Sequence, residues 1–251
     1  MIIVTGMHRS GTSLMAMTLE TLGVGFGDHR AFYAADQWNA KGYFERRDVM
    51  DLNSRMITGL DRTRSKVAAL LGQVRYLSEP GLDRILSRGP LFADEMRTIS
   101  DETNDGAIKD PRLCLTWSAW AEVVDVDAAV VCIRHPHEVA DSLRRRQKIP
   151  MPIGLRFWRY HTRALRDRTP PGTVVVDLDS LMVAPGNELR LLIDGLGLEI
   201  DEAEAQRRFA EKYQPGLAKS TPQARPALDG ETEELWEWLQ SLRPIPIAAA
   251  G

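Results

Sequence analysis

The chain has 251 residues, 43% of them hydrophobic and 7% aromatic, with 32 Lys+Arg against 35 Asp+Glu for a formal net charge of −3. That length suits one large α/β domain or two small ones, and the near-neutral balance argues against a general nucleic-acid coat, whose domains carry a strong excess of basic residues. Cys114 and Cys132 are too few for a disulfide framework and lack the paired spacing of a zinc site. No stretch approaches the roughly 18 apolar residues of a spanning helix, so a soluble cytoplasmic protein with no leader segment is expected.

The first predicted element is a strand over Ile2 to Thr5. It runs through GMHRSGTS (Gly6 to Ser13) into a helix over Gly11 to Leu22, with Leu14, Met15, Leu19 and Leu22 on one stripe and Gly23 as the stop. Ala31 to Ser100 is less orderly. An aromatic loop, FYAADQWNAKGYFERRD, precedes helical segments, and the stretch reads as an acceptor-binding or lid insertion over the strand ends. Further strands are expected over Gly106 to Lys109, Ala128 to Ile133 and Thr173 to Leu178. The last two are nearly continuous in apolar residues, the pattern of strands covered on both faces. Between and after them lie helices over His137 to Lys148, behind the start signal Pro136, and over Asn187 to Leu196, closed by Gly197. An acidic helix within Glu199 to Tyr213 and a Pro-rich tail close the chain. The alternation predicts a single doubly wound α/β domain over residues 1–251, with a mainly parallel sheet of phosphate-loop nucleotide-kinase type and helices on both faces.

GMHRSGTS has the spacing G-x-x-x-x-G-x-[ST] of a phosphate-binding loop, whose glycines let backbone N–H groups turn toward an anion at a helix N-terminus. The Lys that nucleoside triphosphatases place before the last Ser/Thr is Thr12 here, and a cation stands three residues earlier as Arg9. A triphosphatase would lack its contact to the β- and γ-phosphates. A second strand–turn–helix, AAVVCIRHPHEVADSL, puts Arg134 at the strand end and Ser142 eight residues on, a guanidinium and a hydroxyl suited to another anion. Together the two elements suit a nucleotide phosphorylated at both ends of its ribose.

GMHRSGTS resembles the 5′-phosphosulfate loop of sulfotransferases that use 3′-phosphoadenosine 5′-phosphosulfate, and IRHPHEVADSL resembles their 3′-phosphate element, R-x-P-x-x-V-A-x-S. AIKDPRLCLTW is similar to the K-D-P-R strand end of bacterial carbohydrate-type members, and GLRFWRYHTRAL and VVVDLDSLM to later family segments. The resemblance spans roughly residues 1 to 200. It implies that Arg9, Ser10, Gly11, Thr12 and Ser13 hold the 5′-phosphosulfate, that Arg134 and Ser142 hold the 3′-phosphate, and that no metal is required. It also implies sulfuryl transfer to a hydroxyl of a sugar, glycolipid or glycosylated small metabolite, with no nucleic-acid partner. VVVDLDSLM lacks the usual Tyr, and the tail has no clear R-K-G loop; Lys219 is the only candidate there.

Transfer needs a base for the acceptor hydroxyl. The resemblance points first to Glu45, in NAKGYFERRD; His8, within the phosphate loop, is the runner-up, and Asp110 the third. Arg9 also counts as catalytic, because with the loop amides it faces the charge developing on the leaving group. Trp38, Tyr43, Lys109 and Arg112 are candidates for binding the acceptor. Cys132, His135 and His137 form C-x-x-H-x-H, but a buried strand end and alternate residues around a proline rarely converge on a metal. From Arg134 to Arg166 nine basic residues stand against two acidic ones, which predicts a positive field toward the ligand. The rival readings are an ATP-dependent phosphotransferase and a non-catalytic nucleotide-binding relative.

Overall fold

The computed structural model describes residues 1–32, 44–61, 65–104, 106–213 and 226–243. Its centre is a parallel four-stranded sheet in the order β2-β1-β3-β4, formed by β1 (Ile2–Thr5), β2 (Ala107–Lys109), β3 (Ala128–Ile133) and β4 (Thr173–Asp177). The register pairs Val4 with Lys109 on one side and with Val130 on the other, and Ile133 with Asp177. All four strands match the expected runs to within a residue. The apolar runs do not alternate because both faces are covered: Ile3, Val131 and Val175 point into one core cluster, Val4, Val130 and Val176 into the other.

Helices fill both layers. After β1 come α1 (Thr12–Thr21), then α2 (Arg47–Thr58), α3 (Lys66–Leu77), α4 (Leu82–Leu86) and α5 (Ala93–Thr103). α6 (Leu113–Ala121) follows β2, while α7 (Pro136–Gln147) and α8 (Met151–Asp167) follow β3. α9 (Leu178–Val183), α10 (Pro185–Leu196), α11 (Glu202–Lys212) and α12 (Gly230–Ser241) complete the order. Helices α1, α7 and α10 stand where periodicity and stop signals place them, each bound within two residues. α6 escapes that reading because LCLTWSAWA is apolar nearly all round, so it shows no stripe; it is buried between the sheet and α8. Among the described residues no helix is long and apolar enough to cross a membrane.

Parallel strands bring their carboxyl ends to one edge. Here the connection from β1 leads to β2 on one side, while β3 and β4 lie on the other, so the loops after β1 and β3 flank a topological switch point, the usual crevice for a ligand in such sheets. The loop after β1 is pinned to its neighbours: a Cβ on Gly6 (φ +136°) would stand 2.2 Å from the Cys132 carbonyl oxygen, and one on Gly11 (φ +88°) 2.3 Å from a Leu178 methyl. Gly6→Ala should therefore cost about 3 kcal/mol or more, from backbone strain plus a clash with main chain. Urea unfolding, read as a lower midpoint with unchanged slope, checks this.

Candidate active site

The phosphate-loop residues expected to hold an anion lie together at the switch point. Gly11, left-handed, caps α1, so the first N–H groups of that helix open toward the loop. Arg9 is also left-handed, at φ +76°, a costly conformation for a residue with a Cβ. Its Nε donates to Ser142 Oγ at 3.0 Å. Ser142 sits two turns into α7, so the loop after β1 and the element after β3 meet directly. Arg134, buried at the end of β3, lies against Glu138 (3.2 Å) and Asp179 (3.4 Å). Ser10 and Thr12 are buried in the loop.

The end of β2 supplies the other side. Lys109 Nζ donates to Ser13 Oγ at 3.0 Å and to Glu45 Oε1 at 2.7 Å, and its side chain is 1% exposed. Glu45 and Lys109, 64 residues apart in sequence, are thus one ion pair at the head of α1. Asp110 is fully buried and committed elsewhere: Oδ1 accepts from the Arg112 backbone N–H (3.0 Å) and from Arg112 Nη1 (2.9 Å), and Oδ2 accepts from Asn53 Nδ2 (3.0 Å). Asn53 Oδ1 in turn accepts from Thr116 and Trp120. Burial pushes the Asp110 carboxyl up. The K-D-P-R segment is thus a strand end whose Asp110 and Arg112 pair with each other, while Lys109 faces the loop. Arg112 lies 5.8 Å from the centre of the Tyr76 ring.

His8 is tied to α3 and α8. Its Nε2 is 2.9 Å from Tyr76 Oη, and Tyr76 Oη is 2.7 Å from His161 Nε2. Burial, together with the Arg112, His161, Lys109 and Arg9 side chains, holds His8 well below the usual imidazole range. Neither Tyr76 nor His161 stands out in the sequence. Tyr76 is one aromatic in the insertion, 68 residues from His8, and His161 lies 85 residues beyond it within the basic segment; the phosphate loop alone offers no signal for either.

Other expected residues fall elsewhere. Trp38, Tyr43 and Lys219 lie outside the described residues. His135 stacks on His137 at 5.7 Å and meets Trp236 edge-on, and both thiols are buried, with burial pushing Cys114 up to about 12. Much of the basic segment is engaged in ion pairs. Arg144 and Arg145 hold Asp141, Arg156 holds Glu79, and Arg159 and Arg163 reach Glu231 at the start of α12. Of the nine, Arg134 is the one at a strand end; the others lie on or directly after α7 and α8.

No protein-family model matches the chain, and no curated protein does. Among solved structures it resembles the sulfotransferase domain from the Synechococcus PCC 7002 olefin synthase, at 18% identity over 98% of this chain and 94% of that one, with a TM-score of 0.51. It also resembles the sulfotransferase domain from the curacin biosynthetic pathway, at 14% identity over 98% of both chains, with a TM-score of 0.52. The fold is that of a sulfotransferase domain. The crevice over β1 and β3 is the topological switch point, where open α/β sheets place a ligand. The side chains gathered there are Arg9, Ser10, Thr12, Ser13, Lys109, Arg134 and Ser142, hydroxyls and cations suited to an anionic ligand.

Proposed function

We propose that the protein is a sulfotransferase that uses 3′-phosphoadenosine 5′-phosphosulfate and a hydroxyl acceptor. The observation that carries this reading is the bond from Arg9 to Ser142, which joins a phosphate loop lacking the triphosphatase Lys to a second anion element. When bound, the nucleotide supplies the sulfuryl group and leaves as adenosine 3′,5′-bisphosphate. Ser10 to Ser13 and the loop amides would hold its 5′ end, and Arg134 with Ser142 its 3′-phosphate. Arg9 and Lys109 would neutralise charge on the departing phosphate, as fixed donors aimed where charge develops.

Two groups stand ready to take the acceptor proton. Glu45 already accepts from Lys109 and so keeps that cation against Ser13. His8 is the better placed for a base, because its neighbours hold it neutral and, among the described residues, hydrogen-bond it through Nε2 and not Nδ1. We therefore assign the base to His8 and the placing of Lys109 to Glu45. The acceptor proposed is a sugar, glycolipid or glycosylated metabolite, on the resemblance of the K-D-P-R segment to carbohydrate-type enzymes. The origin of the two structural neighbours in an olefin synthase and a biosynthetic pathway favours, as a second reading, a hydroxyl on a biosynthetic intermediate. The two buried free thiols agree with a reducing, cytoplasmic setting.

Melting curves test the donor. Adenosine 3′,5′-bisphosphate should raise Tm by mass action, and ATP with Mg²⁺ should not. The reverse pattern would replace this reading with a phosphotransferase. Transfer of labelled sulfate to a panel of sugars and hydroxylated intermediates then separates the two acceptor classes.

A further inference from the structure

The hydrogen-bond chain behind the phosphate loop has only one consistent direction. His161 Nδ1 stands 2.9 Å from the Phe157 carbonyl oxygen one turn back on α8; a carbonyl only accepts, so Nδ1 carries a hydrogen. His161 is fully buried, and burial pushes it down to about 4, so at neutral pH its Nε2 is a bare acceptor. Tyr76 therefore donates its single hydrogen to His161 Nε2. The Tyr76 oxygen then accepts from His8, and His8 Nε2 must hold the ring's hydrogen. Running the chain the other way would put two protons on His161, a charged ring sealed in the core.

We infer that Tyr76 and His161 are positioning residues that fix His8 in the neutral tautomer with its hydrogen on Nε2, which makes Nδ1 the atom that accepts the acceptor's proton. This rests on the sulfotransferase reading for its chemical consequence, though the tautomer itself does not. The rings leave little freedom. Tyr76 and His161 both meet Phe157 edge-on, with centroids at 4.9 and 4.4 Å, and His8 stacks over the same ring at 6.3 Å. Facing His8 are Arg9 from its own loop, Lys109 and Arg112 from the end of β2, Tyr76 from α3 and His161 from α8, and the cations among them disfavour an imidazolium at rest. In the step, the acceptor O–H bond breaks, its proton goes to Nδ1, and its oxygen forms the bond to sulfur as the bond from sulfur to the 5′-phosphate oxygen breaks. The proton stays on His8, because the chain behind it ends at the fully buried His161 ring, where a second proton would be a charge sealed in the core.

Nitrogen-15 spectra of the full-length, histidine-labelled protein read which ring nitrogen holds the hydrogen, with His8→Gln assigning the signal. The expected result is Nε2–H on His8 in the wild type and a mixture of tautomers in Tyr76→Phe, which keeps the ring but deletes the link. Nδ1–H in the resting protein would overturn the inference. In turnover, Tyr76→Phe should lower kcat about tenfold or more, with bisphosphate affinity within error of wild type and a Tm lowered only by the loss of two partly buried hydrogen bonds. A wild-type kcat in that variant would equally overturn the positioning role. If the wild type transfers no sulfuryl group to any acceptor, the functional reading fails while the spectra alone still decide the tautomer.

Discussion

Replacing His8 with glutamine should lower kcat by about 10²- to 10⁴-fold, the range a positioned base supplies, while adenosine 3′,5′-bisphosphate binds as in the wild type. Glutamine keeps an N–H for the Tyr76 oxygen and removes the basic lone pair. The wild-type pH profile carries the same information with a definite sign. His8 must be neutral to accept a proton, and its surroundings hold it well below 6.5, so kcat/KM for the free enzyme should stay level as the pH is lowered through 6.5 and fall only at lower pH. In His8→Gln that acid limb should vanish from the residual rate. Should His8→Gln turn over normally while Glu45→Gln is inert yet still binds the bisphosphate, the base passes to Glu45.

Arg134→Ala should weaken adenosine 3′,5′-bisphosphate by roughly 1.5–3 kcal/mol, about 10- to 150-fold in Kd, through loss of a charge-assisted contact to phosphate. Titration calorimetry of the bisphosphate against adenosine 5′-monophosphate separates the roles. The variant should lose most of the preference for the 3′-phosphorylated nucleotide and little of the affinity for the monophosphate. Because Arg134 lies between Glu138 and Asp179, its removal also leaves two carboxylates near the 3′ position, which adds to the penalty for an anion there. An unchanged Kd would mean that the second anion element binds something else.

Both predictions start from motifs that adjacency in the sequence makes visible. A phosphate loop is legible because its function needs backbone geometry at fixed spacing: Gly6 and Gly11 must take positive φ, and a strand and a helix must flank them. The same holds for Arg134 and Ser142, eight residues apart on one strand–turn–helix. β3 and β4 were the most legible strands because burial on both faces leaves continuous apolar runs, and α1, α7 and α10 were legible because one wet face leaves a stripe.

What the sequence determined by itself was therefore local: the doubly wound order, the two candidate anion elements, and the missing triphosphatase Lys that turns the proposal away from ATP. Only the tertiary structure decided how these parts meet. The bond of Arg9 to Ser142 crosses 133 residues, the Lys109–Glu45 pair 64, and the His8–Tyr76–His161 chain joins a loop, an inserted helix and a crossover helix. The packing also decided where the basic residues pair, since arginines close in sequence on α8 reach acids on α12 and beside α3. The reason is the same throughout. Backbone conformation and one-sided burial are written in neighbouring residues, whereas the partner of a side chain is chosen by which strand ends and helices the packed sheet brings within about 3 Å, the reach of a hydrogen bond.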